Sequence, residues 1–437
     1  MSRRREACAP NMGGCVSAHI PVRGERYADF LGMNGKKIFN IKLLLLLAIF
    51  TYFYAQIYYW GIINFPGAGP GSDVYITYIS KTLRDEVGMT IHKSEFYLLD
   101  EILEDMLKDK NTLIQESEIL AREGITNSEE MDAVTSEYIR RMNEGDADAR
   151  QVVEEINRIL FLDGPVANSV ADEIQYLYED LEGEGPGYIN FLCDTREEAM
   201  ASAKKALTGS SDPDPLMVEW LAKFFYTDEM SLLPQWVFNT TRTNFPNLAT
   251  IMLISVAILI LPWQIRERLS GIRDLQGSSA AGRKLWDRQL LVSLAAAAVV
   301  CAVQTMVFIL AMDVSDMTYY WNYPIYGARQ WVQFPFTLGE YVLFSAGMMT
   351  LYVLACTVLF HLISRVAANY VVGFALILGP FLILNSFTYN LFIGMIMISS
   401  TASETFSRYL TILAFVLAAA VIGWSMSRFH RRKDVVS

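Results

Sequence analysis

The segment Ile265-Arg-Glu-Arg-Leu-Ser-Gly-Ile-Arg-Asp-Leu-Gln-Gly-Ser-Ser-Ala-Ala-Gly-Arg-Lys-Leu-Trp-Asp-Arg288 is a short polar stretch between two uncharged runs, residues 245–265 and 289–312. Each run is long enough to cross the roughly 30 Å hydrocarbon core of a bilayer as a helix. The polar stretch carries six basic and three acidic residues, and basic loops are retained in the cytoplasm. The sequence therefore predicts a cytoplasmic hairpin loop, residues 266–288, between two transmembrane helices.

Composition places the chain among membrane proteins that carry a large water-exposed insert. It has 437 residues, of which 52% are hydrophobic. Residues 66–244 hold 15 basic and 36 acidic residues, whereas the rest of the chain holds 21 basic and 11 acidic residues. This split reflects membrane topology, and it argues against a nucleic-acid partner because the acidic insert would repel phosphates.

Cysteine and histidine usage predicts neither a disulfide framework nor a metal site. Only Cys193 of the five cysteines lies in the insert, so the insert has no internal disulfide and must fold by packing. The other cysteines and the four histidines lack the spacing of metal ligands.

The order of the uncharged runs predicts an all-α polytopic membrane protein with six transmembrane helices. The first run, residues 43–65, is longer than the apolar core of a signal peptide, so we interpret it as an uncleaved membrane anchor. Basic residues concentrate on the predicted inner segments, whereas the short outer loops carry only Arg329 and Arg408. This asymmetry predicts the cell membrane as location, both termini in the cytoplasm and the insert outside. The predicted parts are a basic cytoplasmic segment (1–42), whose first 32 residues are a tail or an upstream mis-start, the first transmembrane helix (43–65), an acidic helical extracytoplasmic domain (66–244), the other five transmembrane helices with loop 266–288 (245–433), and a C-terminal tail (434–437).

Local signals predict that the insert is mainly helical. The predicted helix starts are Ser94, Asn127 with Glu130, and Asp214-Pro215, and the predicted apolar stripes are residues 152–160 and 170–181. In the membrane region, the uncharged run 366–403 is too long for one span. We expect it to cross as far as Leu384 and then to break at Asn385–Asn390 into a short outer helix.

One loop motif resembles a catalytic sequence. Gly277-Ser-Ser-Ala-Ala-Gly282 has the glycine spacing of a phosphate-binding P-loop, but Arg283, Lys284 and Leu285 follow it. A P-loop needs lysine and then Ser or Thr there, because the amine reaches the phosphates and the hydroxyl binds Mg²⁺. We therefore predict a non-catalytic chain that holds no cofactor.

The predicted spans contain few ionisable groups, which membrane enzymes and proton-driven carriers require. Their polar residues are mostly neutral, among them Gln304 and Asn385. These two residues either hydrogen-bond neighbouring helices or line a transport path. Energy for any transport would then come from another protein.

The loop and the order of helices together resemble a known family. Glu267 is followed by Gly271, Leu275, Ser278-Ser279 and Gly282-Arg283. With one span, a large external domain and then five spans, this pattern is similar to that of membrane (permease) subunits of type-2 ATP-binding-cassette transporters. Thr337-Leu-Gly-Glu340-Tyr341, which opens the fourth predicted span, is a weaker second likeness.

This resemblance implies an exporter in which two permease subunits pair, as a homodimer or a heterodimer, within membrane lipid. Separate ATPase subunits would bind ATP and Mg²⁺ and receive the loop as a coupling helix. The resemblance implies charged contacts through Glu267, Arg268 and Arg273 and a buried anchor at Leu275, with glycines and serines shaping the turns. The ATPase-docking residues would be Glu267, Arg268, Gly271, Arg273, Leu275, Ser278, Ser279, Gly282 and Arg283.

Two other interpretations remain open. The basic residues of the loop would also be expected simply from the charge rule and from contact with lipid headgroups. Alternatively, the chain is a membrane-anchored receptor or assembly scaffold whose external domain binds a partner, and such a chain would need no ATPase.

Overall fold

The computed structural model describes residues 38–59, 62, 73–160, 192–208, 212–270, 285–326, 331–367 and 369–432. These residues are predominantly helical, which confirms the all-α part of the predicted fold class. The helices are α1 (Ile41–Tyr58), α2 (Asp73–Val87), α3 (Tyr97–Glu116), α4 (Glu118–Arg122), α5 (Ser128–Asn143), α6 (Ala147–Arg158), α7 (Arg196–Leu207), α8 (Pro215–Phe225), α9 (Gln235–Leu269), α10 (Leu285–Val314), α11 (Leu338–Val366), α12 (Tyr370–Phe392) and α13 (Ala402–Arg432). Two short strands, β1 (Thr90–His92) and β2 (Glu229–Ser231), pair antiparallel with Ile91 opposite Met230.

Within the described residues, five helices are long and apolar enough to cross a membrane: α1, α9, α10, α11 and α13. The apolar window of α9 is 78% buried, whereas that of α1 is only 6% buried. Helix α9 is therefore the central helix, and it packs against α1, α10, α11 and α12. Helix α1 and most of α13 turn apolar side chains outward, as helices in contact with lipid do.

The bundle has two distinguishable ends. Helix α9 begins at Gln235, within the last ten residues of the insert, and we call that end the insert end. It finishes at Leu269, where the polar loop follows, and we call that the loop end. The end of α11 at Val366 and the start of α10 at Leu285 also lie at the loop end, because Arg268 and Glu267 contact these two regions.

The insert folds as small clusters of helices. Several of these helices begin at a capping residue that is recognisable in the local sequence. Asn127 caps α5 by accepting a hydrogen bond from the Glu130 amide (2.9 Å), and Asp214 caps α8 with Pro215 in its first turn. Both predicted helix starts are confirmed, as is the stripe 152–160, which α6 buries through Val152 and Ile156. The stripe 170–181 lies outside the described residues.

The predicted cap at Ser94 is wrong. The side chain of His92 accepts from the Ser94 amide, and Glu95 bonds back to the His92 amide (2.9 Å). This capping box starts a short 3₁₀ turn, Lys93–Glu95, and α3 begins only after it, at Tyr97.

The insert is bonded to the turns at its end of the bundle. Trp220 Nε1 of α8 donates to Gln333 O (2.9 Å), and the Asp214 amide donates to Ser400 O (2.8 Å). On the other side of the insert, the guanidinium of Arg84 lies 4.2 Å from the ring centre of Tyr319. These contacts fix both halves of the insert to the bundle.

Helix α12 corrects the predicted break. It runs without interruption through Asn385–Asn390 to Phe392. Two polar side chains in this stretch bond other helices: Thr250 Oγ1 donates to Asn385 Oδ1 (2.8 Å), and Tyr352 OH lies 3.0 Å from Thr388 Oγ1. Because other helices satisfy these side chains, the helix continues, and the chain turns only after Phe392.

Candidate functional site

The base of the loop is the described part of the predicted docking site. Helix α9 ends at Leu269 and α10 begins at Leu285, and residues 271–284 lie outside the described residues. The docking predictions for Gly271, Arg273, Leu275, Ser278, Ser279, Gly282 and Arg283 therefore stay predictions. Glu267 and Arg268 lie in the last turn of α9.

Glu267 turns into the bundle. Its side chain is 7% exposed and accepts two hydrogen bonds, from Trp263 Nε1 (3.1 Å) and from Gln289 Nε2 (2.7 Å). A buried carboxylate is costly unless donors surround it, and these two donors come from α9 and α10. The carboxylate therefore links the two helices that carry the loop, and the predicted contact of Glu267 with another protein stays a prediction.

A second polar group lies beside this link. His361 of α11 is fully buried, and its Nδ1 lies 3.0 Å from Ser293 Oγ of α10. Gln264 Nε2 of α9 lies 3.5 Å from the same ring nitrogen. His361 thus connects three helices at the loop end.

Arg268 ties the end of α9 to the end of α11. Its Nη1 donates to Val366 O and to Ala367 O (2.8 Å). A helix leaves its last carbonyl groups without partners, and a cation there also opposes the negative end of the helix dipole. Arg268 is exposed on its outer side, so it remains reachable by a partner while it holds α11.

These contacts make the base of the loop a mechanical junction of α9, α10 and α11. Among the described residues, no group of three or more His, Cys, Asp or Glu side chains is placed to hold a metal ion. A force on the loop would pass into three helices at once, because Glu267 fixes one side of the loop to the other and Arg268 adds α11.

For Gln304 and Asn385, the sequence left open two roles, hydrogen bonding between helices and lining of a transport path. Both residues form hydrogen bonds with other helices. Gln304 is 2% exposed, and its Nε2 donates to Thr51 Oγ1 (2.9 Å) of α1 and to Ser255 Oγ (3.1 Å) of α9. Asn385 is exposed and accepts from Thr250. The path-lining role stays a prediction for both residues.

Sequence reasoning did not identify Trp263, Gln289 and Ser293 as part of this site. The spacing could have indicated them, since Trp263 lies four residues before Glu267 and Ser293 lies four residues after Gln289, which places each pair of side chains on one helical face.

Comparison of the chain with models of protein families, with curated proteins and with solved structures found no match.

Proposed function

We propose that this chain is the membrane-spanning permease subunit of an ATP-driven exporter, coupled to a separate ATPase subunit through the loop 266–288. The observation that carries the proposal is the junction of Glu267, Gln289 and Arg268. A docking loop transmits work only when its base is fixed to the helices that must move, and here three helices meet at that base.

In this proposal the bundle has six spans. Helix α12 is the span added to the five named above, because it is 23 residues long and contains no charged residue. At about 1.5 Å per residue it is long enough to cross the hydrocarbon core. The loop end and both termini face the cytoplasm, the insert lies outside, and two such chains pair to enclose the transport path.

The chain itself supplies no hydrolytic chemistry in this scheme. ATP and Mg²⁺ bind to the partner ATPase, whose closure pushes on the loop. The link between Glu267 and Gln289 keeps α9 and α10 together under that push, and Arg268 moves the end of α11 with them. The bundle then tilts between inward-open and outward-open arrangements.

Affinity purification after gentle crosslinking tests the proposal. The tagged full-length protein is expected to recover a P-loop ATPase, identified by mass spectrometry. A variant with Leu275→Asp and Arg273→Glu is expected to lose that ATPase while its expression is unchanged. The matched control is Ile139→Asp with Arg150→Glu, the same chemical changes on exposed insert positions.

Two outcomes contradict the proposal in different ways. If the loop variant recovers as much ATPase as the control variant, the docking surface lies elsewhere. If the unaltered protein recovers no ATPase but retains another partner through its insert, the receptor or scaffold interpretation replaces the exporter.

A further inference from the structure

Arg242 lies at the insert end of α9 and has no counterion among the residues that the structure describes. It lies three residues before the uncharged run 245–265. Its side chain is half-buried, and its buried Nε donates no hydrogen bond. No acidic side chain of the described residues lies within ion-pair distance of it. A charge in such a place is costly and calls for an anionic partner.

The face of α9 that bears Arg242 packs against α11. Phe238, Arg242 and Phe245 recur at the spacing of one helical face. The ring of Tyr341 stacks on Phe238, with ring centres 5.4 Å apart, and meets Phe245 edge-on at 5.0 Å. Arg242 therefore lies on the face of α9 that packs against Tyr341 of α11.

Two further polar groups of this region lack partners. Tyr341 and Ser345 are fully buried, and neither Tyr341 OH nor Ser345 Oγ makes a hydrogen bond with the described residues. They are four residues apart on α11, so they occupy the same helical face. Buried polar groups almost always have partners, and each one left alone costs about 1–3 kcal/mol.

The nearest carboxylate in sequence does not supply the partner. Glu340 precedes Tyr341, but its Oε2 accepts from the Thr337 amide (2.9 Å) in the capping box that starts α11. One guanidinium and two hydroxyl groups therefore offer hydrogen-bond donors for which the described residues supply no acceptor.

We propose that Arg242, Tyr341 and Ser345 bind one anionic group, a phosphate or a carboxylate. The guanidinium supplies the charge and its fork of donors, and the two hydroxyls add donors behind it. The Nε of Arg242 makes no hydrogen bond with the described residues, so it can donate to the anion. The cluster lies at the edge of the apolar run, the depth of lipid headgroups. The anion therefore comes from a phospholipid headgroup or from a free ion, and the site does not depend on an ATPase partner.

Binding measurements on the purified full-length protein in detergent test the site. Native mass spectrometry counts bound phosphatidylglycerol, with phosphatidylcholine for comparison, and calorimetry measures inorganic phosphate. We expect saturable binding of one anion per chain. Arg242→Gln should weaken it at least about tenfold, as loss of a charge-assisted hydrogen bond does. Arg150→Gln, which removes the same charge from an exposed position of α6, should leave it unchanged.

The double variant Tyr341→Phe with Ser345→Ala removes only the two hydroxyls, and we expect it to weaken binding about tenfold. It also decides the matter if Arg242→Gln fails to fold. Phosphatidylglycerol binding without phosphate binding assigns the headgroup, and phosphate binding assigns a free anion. The proposal is overturned if neither probe saturates, or if the Arg242 and hydroxyl variants bind as tightly as the Arg150 control.

Discussion

Gln289 Nε2 lies 2.7 Å from Glu267 Oε2, and the two residues are 22 positions apart on either side of the polar loop. The bond therefore closes the base of the loop. Trp263 supplies the second donor from one helical turn earlier (3.1 Å). These two hydrogen bonds attach the base of the loop to the interior of the bundle.

Replacing Glu267 with Ala should destabilise the folded protein by about 1–3 kcal/mol, because it leaves the Trp263 and Gln289 donors without their acceptor. Thermal unfolding in detergent measures the effect. The control is Arg266→Ala, an exposed neighbour that should change stability by less than about 0.5 kcal/mol. In a double-mutant cycle with Gln289→Ala the losses should not add. Equal melting temperatures for the Glu267 and Arg266 variants would refute the structural role.

A close approach between Gly339 and Trp321 gives a second prediction. A Cβ atom added to Gly339 would lie within 2.6 Å of three atoms of the Trp321 ring, whereas one added to Gly347 would meet nothing within 4 Å. Both glycines are in α11. Gly339→Ala should cost about 1–3 kcal/mol through overpacking, and Gly347→Ala should be neutral or stabilise by up to about 1 kcal/mol. If the Gly339→Ala variant melted at a higher temperature than the Gly347→Ala variant, the Trp321 side chain would have to move aside without cost, which would contradict this prediction.

The bond between His92 and Asp228 predicts a pH dependence in the insert. His92 Nε2 lies 2.6 Å from Asp228 Oδ2, and this bond holds the pKa of Asp228 below its usual value. Its contribution to stability is therefore complete above the pKa of an unfolded Asp, about 3.9, and is lost as pH falls through the lower pKa of the folded protein. The protein should melt above its Asp228→Asn variant at pH 6, and this difference should shrink as pH falls below about 3.9, the pKa of an unfolded Asp.

The exposed Asp109→Asn variant serves as the control for this measurement. We expect no comparable loss between pH 6 and pH 3 when its melting temperature is subtracted from that of the unaltered protein. A difference for Asp228 that stays constant over this range would mean that the bond with His92 does not contribute to stability.

Gln304 distinguishes helix bonding from path lining. Gln304→Leu removes its bonds to Thr51 and Ser255. Hydrogen bonds between membrane helices contribute about 0.6 kcal/mol each, so we expect a loss of about 1 kcal/mol by thermal unfolding. Gln56→Leu is the matched control, since Gln56 has no hydrogen bond with the described residues. A melting temperature unchanged by Gln304→Leu would favour path lining.

Locally encoded features were predictable from the sequence. Asn127 and Asp214-Pro215 carry their capping partners within three residues, and both helices begin where these signals lie. The uncharged runs likewise predicted the long apolar helices α9 and α10, because length and absence of charge suffice for that inference.

The predicted break in α12 was wrong because partners distant in sequence decide the outcome there. Asn385 and Thr388 look like helix breakers, but Thr250 and Tyr352 hydrogen-bond with them and α12 continues. The burial of Glu267 could not be predicted either, because its partner Gln289 belongs to the next helix. A single sequence contains no record of such pairings, since helix packing creates them.

The hydrogen bonds from Trp220 to Gln333 and from Asp214 to Ser400 have a consequence for motion. They attach α8 to the turn between α10 and α11 and to the turn between α12 and α13. If the helices separate at that end, α8 must move with both turns or these hydrogen bonds must break. In the described chain, no comparable segment connects the turns at the loop end. The insert therefore restrains the separation of the helices at its own end of the bundle.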